Sequence, residues 1–232
     1  MALRDELSES VDEIFHTTWN VRDGRVVPES EDLALGNEAV RLEEAVVLYA
    51  DMSGSTKLVD GYKWHLAAEV YKAFLYCAAR IIRSEGGEIT AYDGDRIMAI
   101  YVGDSKNTSA ARTALKINYC RVEIINPLLA KQYPSVQYQL KHVVGIDRSE
   151  LRAARTGVRG ANDLVWVGRA ANYAAKLSDL SSDYPSRITK DVYDRLRDEL
   201  KLSNGRSMWE AATWTDMNNL PIYRSTWWWR IE

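Results

Sequence analysis

Cysteine is scarce in this sequence, and that scarcity limits the classes of protein to which the chain can belong. Only Cys77 and Cys120 occur among 232 residues, both within helical patterns and at a spacing unlike that of metal ligands. A disulfide framework is therefore excluded, and so is a zinc site built on cysteine. Such cysteine usage is typical of cytoplasmic proteins, and we expect the chain to act in the cytoplasm.

Long apolar runs and a dominant charge are also missing. No run approaches the roughly 20 apolar residues that cross a bilayer, and the opening MALRDELSES lacks the apolar segment of a signal peptide. The 30 basic and 33 acidic side chains give a net charge of −3, which offers no footprint for nucleic acid or an anionic membrane. We therefore expect a soluble protein whose ligand is small and charged.

Apolar residues make up 46% of the chain, which is enough to bury a full core. We expect one catalytic domain over 42–202, with a helix and linker before it over 1–41 and a strand-rich extension after it over 203–232. Residues 2–16 have the period of an amphipathic helix, whose apolar stripe consists of Leu3, Leu7, Val11, Ile14 and Phe15.

The order of the predicted elements identifies the fold class. The main elements are a strand from Val46, a helix over 64–84, hairpin strands over 88–91 and 96–102, a helix over 108–126 that ends before Pro127, and a strand over 138–146. This is the order of a ferredoxin-like α/β (α+β) unit, an antiparallel-rich sheet with helices on one face. Loops, the C-terminal strands or a second copy of the chain must cover the other face.

Shorter elements are predicted in the last third of the chain. They are a strand over 164–166, helices over 168–180 and 190–200, and strands over 213–217 and 221–230. The last strand carries Trp227, Trp228 and Trp229, so we expect it to pack on the core or on a partner chain.

Two apolar strands each carry an aspartate at one edge. The first, VVLYADMSGST, places Asp51 before a turn of small residues whose backbone N–H groups could bind phosphate. The second, AYDGDRIMAIY, places Asp95 after the hairpin turn Asp93-Gly94, where it opens the returning strand. Each motif alone is also compatible with an ordinary helix cap or turn. Together they predict a site for divalent metal and polyphosphate.

These two stretches and a third, VGRAANYAAKL, resemble the class III nucleotidyl cyclases over residues 42–200. The resemblance implies that Asp51, Asp95 and the carbonyl of Met52 ligate two divalent ions per site, Mn²⁺ or Mg²⁺. It implies that the β- and γ-phosphates are held by Ser53, Gly54, Ser55 and Thr56. Asn172 falls where the family orients the ribose. Lys176 falls where the family usually has arginine, and a lysine offers a point charge in place of a two-pronged donor.

The base-reading positions depart from those of purine cyclases. Where adenylate cyclases have lysine and aspartate, this chain has Ala91 and Val165, which make no side-chain hydrogen bond. Strand alternation adds Tyr49 and Asp93 to the candidate pocket, and Arg96 and Trp166 lie beside it in sequence. The combination resembles the bacterial pyrimidine cyclases of anti-phage defence.

The resemblance implies a nucleoside triphosphate substrate, with UTP favoured, and conversion to 3′,5′-cyclic UMP and pyrophosphate. Cytidylate cyclase, adenylate or guanylate cyclase, and an inactive nucleotide-binding dimerisation module stay open as alternatives. In the family, the aspartates and the asparagine-bearing helix of one site come from different chains. A homodimer with composite sites is therefore implied, together with a separate effector protein on which the product acts.

Overall fold

The computed structural model describes residues 2–232 of the chain. Its α-helices are α1 (Leu3–His16), α2 (Ser55–Gly61), α3 (Trp64–Ser84), α4 (Lys106–Tyr119), α5 (Asn126–Gln132), α6 (Arg169–Ser178) and α7 (Lys190–Asp194). Its strands are β1 (Asn20–Asp23), β2 (Glu38–Ser53), β3 (Glu88–Asp93), β4 (Arg96–Tyr101), β5 (Lys141–Val158), β6 (Ala161–Val167), β7 (Ser186–Thr189), β8 (Leu202–Ser203), β9 (Arg206–Ser207), β10 (Glu210–Trp214) and β11 (Leu220–Ser225).

One sheet dominates the fold. Its strand order is β10-β11-β7-β5-β2-β4-β3, with β1 pairing to β2 and β6 pairing to β5. The pairs β1–β2 and β5–β7 are parallel, and the other pairs in the sheet are antiparallel. The central order β5-β2-β4-β3, connected through α3 and α4, is that of a ferredoxin-like unit. This confirms the mixed, antiparallel-rich fold predicted from the sequence.

Strand β2 is buried on both faces, which explains its nearly continuous apolar sequence. On one face Val46, Leu48 and Ala50 join the larger core with helices α3 and α4. On the other face Val47 and Tyr49 meet a smaller cluster that includes alanines of α6. The prediction of helices on one face only was therefore wrong, because α6 folds back over the second face within the same chain.

The helix that was predicted to end before Pro127 runs past it. Helix α4 passes into a π-helical segment, Cys120–Ile125, and α5 begins directly after it. Pro127 lies in the first turn of α5, directly after the π-helical segment. The helical path therefore continues through the proline, with its hydrogen-bond pattern changed just before it.

The C-terminal strands are also placed differently from the prediction. Strand β10 ends at Trp214 and is followed by a 3₁₀ turn over Thr215–Met217, while β11 ends at Ser225. The tryptophan run beyond β11 is irregular. It is held by the side-chain amide of Asn118, which donates to the carbonyls of Thr226 and Trp227 at 3.2 and 2.9 Å. Packing on the core was correctly predicted, since the side chains of Trp227 and Trp229 meet the larger cluster.

Helix α1 forms as predicted, yet none of its described residues is buried. Among residues 2–232, no helix combines the length and apolarity that crossing a membrane requires. The linker after α1 contains β1, which the sequence analysis missed because four residues carry too little periodicity to identify a strand.

His142 of β5 generates a prediction about acid stability. Its side chain is 1% exposed, neither ring nitrogen has a hydrogen-bond partner, and its ring centroid lies 5.7 Å from that of Phe74. Burial, assisted by the positive charge of Arg121, lowers the pKa of His142 to about 3. The unfolded chain therefore binds a proton more readily than the folded chain as pH falls below 6.5.

We expect His142 to reduce the free energy of unfolding by at most about 1.4 kcal/mol for each pH unit below its unfolded pKa. Replacing His142 by leucine should reduce the change in the free energy of unfolding with pH. Urea unfolding at pH 7, 5.5 and 4.5 measures this change. The exposed His65 serves as the control, and His65→Gln should retain the wild-type slope. An unchanged slope in His142→Leu would contradict the assignment.

Candidate active site

Asp51 and Arg96 face each other across two paired strands. Asp51 lies near the end of β2, between the buried residues Ala50 and Met52, and its register partner in β4 is Arg96. The Arg96 Nε lies 3.5 Å from Asp51 Oδ1, and the two side chains are 27% and 17% exposed. The first predicted metal ligand is thus a mostly buried carboxylate with a guanidinium beside it.

Asp95 lies within the hairpin turn itself. The residues that close the turn are Asp93 and Arg96, so Gly94 and Asp95 are its two central positions. Gly94 has a φ of +60°, which a two-residue hairpin turn needs at its first central position. The prediction that Asp95 opens the returning strand was therefore one residue off. Its Oδ2 atom is buried and has no hydrogen-bond partner.

The carboxylates interact electrostatically. Burial raises the pKa of Asp51 to about 6 against the opposing charge of Arg96, while the negative charges of Asp95 and Asp179 raise it further. A cation that neutralises a half-buried carboxylate and a second carboxylate beside it lowers the electrostatic free energy of both. Both predicted carboxylates therefore belong to one local site.

The phosphate turn follows directly on this edge of the sheet. The Met52 side chain is 3% exposed and packs in the larger core, so only its backbone can face the site. Gly54 has a φ of +75° and precedes helix α2, which the sequence analysis did not separate from the turn. The backbone N–H groups at the start of α2, over Ser55 and Thr56, have no acceptor within the helix. This geometry fits the phosphate-binding role predicted for Ser53 to Thr56.

The residues of the predicted base pocket divide into two groups. Tyr49, Ala91 and Trp166 pack against the same small apolar cluster beneath α6. Burial raises the pKa of Tyr49, on which the charges of Arg96 and Asp93 also act, and the Arg96 Cζ lies 5.8 Å from the Tyr49 ring centroid. Arg96 and Asp93 thus lie near the Tyr49 ring.

Val165 lies on the opposite side of β6 from Trp166, and 41% of it is exposed. The two cannot both line one pocket of a single chain, because successive side chains of a strand point to opposite faces. Their assignment to the base pocket stays a prediction. The indole N–H of Trp166 is buried without a partner.

Helix α6 carries Asn172 and Lys176, both exposed on its outer surface. The Lys176 Nζ lies 3.8 Å from the sulfur of Met217 and is otherwise available to solvent and ligand. The opposite surface of α6 is fixed by alanines that pack on the sheet. Asn172 and Lys176 therefore point away from the chain that carries them.

Three contacts that sequence reasoning missed hold α6 in place. Arg169 donates to the fully buried carboxylate of Asp147 at 3.0 Å and to Asp191 at 3.0 Å. Ser149 Oγ accepts the backbone N–H of Ala170 at 3.0 Å. The only sequence signal was a polar pair, Asp147-Arg148, at the end of an apolar strand. Asp179, which contacts Arg96, gave no signal at all.

The donor set fits a divalent cation. Asp51 and Asp95 supply carboxylate oxygens, the ligands preferred by Mg²⁺ and Mn²⁺, and Asp95 Oδ2 lacks any other partner. Within residues 2–232, no cluster of three or more His, Cys, Asp or Glu side chains forms a complete protein cage. A two-carboxylate site suits Mg²⁺, which is commonly bound by one or two carboxylates together with substrate phosphates.

Relatives identify the family. The chain is 54% identical over 233 residues to a uridylate cyclase of Xanthomonas perforans and 55% identical over 232 residues to one of Burkholderia cepacia, with 100% of each chain covered. The chain belongs to the uridylate cyclase family. Members of the family are nucleotidyl cyclases, so the chain is an enzyme. No protein-family model matches this cyclase.

Solved structures show the same fold. The cyclase aligns with the adenylyl cyclase CyaB of P. aeruginosa at a TM-score of 0.66 and 17% identity, over 83% of its own chain and 98% of the other. It aligns with the guanylyl cyclase Cya2 at a TM-score of 0.67 and 16% identity, over 82% and 94% of the two chains. The fold is that of the class III cyclase domain.

Gly145 of β5 provides a test of how α6 is positioned. A Cβ atom at this residue would lie 2.2 Å from the Ala174 carbonyl oxygen and 2.7 Å from Leu177 Cβ. Gly145→Ala should therefore push α6 away from the sheet, at about 1–3 kcal/mol of stability. We expect a lower melting temperature and a loss of cyclase turnover.

Gly61→Ala is the matched control for this change. An added Cβ at Gly61 meets no atom within 4 Å. Calorimetry of both variants should show destabilisation of Gly145→Ala alone. Wild-type melting and turnover in Gly145→Ala would disprove the close packing of α6.

Proposed function

We propose that the chain is a uridylate cyclase, which converts UTP to 3′,5′-cyclic UMP and pyrophosphate as a second messenger of bacterial anti-phage defence. The observation that carries this proposal is the grouping of Asp51, Asp95 and the Ser53–Thr56 turn at one sheet edge, with Arg96 and Tyr49 close to Asp51. The names of the relatives from Xanthomonas perforans and Burkholderia cepacia support the choice of UTP.

The pocket residues favour a pyrimidine. Ala91 packs in the apolar cluster and offers no hydrogen bond to the amino group and ring nitrogens of adenine. Each unsatisfied polar group of a buried base costs about 1–3 kcal/mol. The guanidinium of Arg96 is a donor that suits the carbonyl oxygens of uracil. The half-buried Tyr49 ring also limits the room for the second ring of a purine.

In the proposed reaction the 3′-oxygen of UTP forms a bond to the α-phosphorus. At the same time, the bond breaks between the α-phosphorus and the oxygen that bridges to the β-phosphorus. The hydroxyl proton passes to solvent, and pyrophosphate leaves. Divalent cations held by Asp51, Asp95 and the Met52 carbonyl would lower the pKa of the 3′-hydroxyl and offset the triphosphate charge. The turn over Ser53–Thr56 holds the β- and γ-phosphates, and Lys176 neutralises charge on the α-phosphate.

The proposed site is shared between two copies of the chain. Asn172 and Lys176 are exposed on the side of α6 opposite to its packing surface, so they are accessible to a second copy. A head-to-tail homodimer would bring this surface to the carboxylates of the partner and form two equivalent sites. The product, a small diffusible nucleotide, would then act on a separate effector protein.

The test is incubation of the protein with UTP, CTP, ATP and GTP separately, in Mn²⁺, followed by mass analysis of the products. We expect cyclic UMP and pyrophosphate from UTP at a rate far above that of the other three. Asp51→Asn and Asp95→Asn should each reduce turnover by more than about 100-fold, because each removes a charged metal ligand.

Circular dichroism and melting of the two variants provide the control, since neither carboxylate is a core contact. Near-wild-type turnover by either variant would contradict the metal assignment. A preference for CTP or for a purine would contradict the base assignment while leaving the cyclase chemistry intact.

A mixing experiment tests the composite site. Asp51→Asn and Asn172→Ala proteins should each be inactive alone. After exchange of subunits, mixed dimers contain one site with both wild-type contributions, and activity should return. Labelled subunits report whether exchange has occurred. If exchange occurs without recovery of activity, each site is built within one chain.

A further inference from the structure

Arg96 is held between two carboxylates. Its Nη2 atom donates to Asp179 Oδ1 at 2.8 Å, and its Nε atom lies 3.5 Å from Asp51 Oδ1. The Asp179 contact has hydrogen-bonding geometry, while the Asp51 contact is a longer ion pair. The guanidinium is therefore bound more closely to Asp179 than to the metal-ligand candidate.

Asp179 is well placed to keep a guanidinium. It is the C-cap residue of α6, where the partial negative charge at the end of the helix adds to that of the carboxylate. Helix α6 is itself fixed on the sheet by the contacts of Arg169 and by close packing on Gly145. Asp179 thus presents a charge from a rigid element, although 55% of its side chain is exposed.

The position of Arg96 has a consequence for cation binding. A guanidinium beside Asp51 competes with a divalent cation for the same carboxylate oxygens. A cation and Arg96 cannot both remain close to Asp51 without like-charge repulsion. Arg96 must therefore move away from Asp51 when a cation binds, and Asp179 is the carboxylate already in contact with it.

We propose that Asp179 is a positioning residue of the active site, which retains Arg96 at the edge of the base pocket when a divalent cation displaces that guanidinium from Asp51. This inference rests on the proposed metal-binding role of Asp51 and Asp95. Asp179 lowers the free-energy cost of cation binding, because Arg96 loses only its weaker contact, with Asp51, and keeps its hydrogen bond to Asp179. It also keeps Arg96 near Tyr49, where the guanidinium can donate to the base.

Titration of the protein with Mn²⁺ in the absence of nucleotide tests the inference. The set of proteins is the wild type, Asp179→Asn, Arg96→Gln and the double variant, with the dissociation constant measured by electron paramagnetic resonance of free Mn²⁺. Asp179→Asn should weaken Mn²⁺ binding about two- to fivefold, the range expected for a partly exposed ion pair. In the Arg96→Gln background the same change should have less than about half of this effect.

The double-mutant cycle separates positioning from simple loss of negative charge. If Asp179 acted only as a distant charge, Asp179→Asn would weaken Mn²⁺ binding equally in both backgrounds, which would overturn the inference. No effect in either background would overturn it too. Asp183→Asn is the charge-matched control, because that carboxylate is exposed and accepts from Ser181 at 2.8 Å. It should leave Mn²⁺ binding unchanged.

A second comparison separates this inference from the proposed function. If Asp51→Asn abolishes Mn²⁺ binding but the cycle shows no coupling, only the role of Asp179 is wrong. If Asp51→Asn leaves Mn²⁺ binding intact, the metal assignment is wrong and the role of Asp179 falls with it.

Discussion

A carboxylate at the end of a strand buried on both faces is the constraint on which the site depends. Asp51 follows a run of apolar residues that β2 must bury, so it cannot move into bulk solvent without disturbing the sheet. Its charge is instead offset by the guanidinium of Arg96, whose Nε lies 3.5 Å away. Under the proposed function, a divalent cation at this edge would offset the electrostatic cost of burying Asp51.

Much of this arrangement could be predicted from the sequence, because it depends on local pattern. The apolar run up to Asp51, the small-residue turn after it and the Asp93-Gly94 hairpin each carry a short-range signal. Adjacent strands then bring the two carboxylates to one edge. The one-residue error at Asp95 arose because the turn is defined by backbone dihedral angles, which a Gly position limits but does not fix.

What the sequence could not provide are the contacts made across long separations. Asp147 and Arg169 are 22 residues apart and belong to different elements, and Arg96 and Asp179 are 83 residues apart. Neither pair has a periodicity, since each is a single polar contact set by tertiary packing. The path of α6 over the second sheet face follows from the absence of a side chain at Gly145, which no pattern of apolar residues reveals.

The proposed site has a carboxylate half, with Asp51 and Asp95, and a helical half, with Asn172 and Lys176. The two halves are held in place by different contacts, and this difference helps to explain why a lysine occupies position 176. In the carboxylate half, Asp51 lies on a paired strand and Asp95 lies in the two-residue turn that joins β3 to β4, so backbone hydrogen bonds of the sheet limit both positions. Asn172 and Lys176 lie on a helix held by one buried ion pair, one hydrogen bond and close packing on the sheet. A flexible lysine tolerates small displacements of such a helix better than a two-pronged arginine, because a point charge needs no fixed orientation. The departure from arginine is therefore compatible with charge neutralisation across a subunit interface.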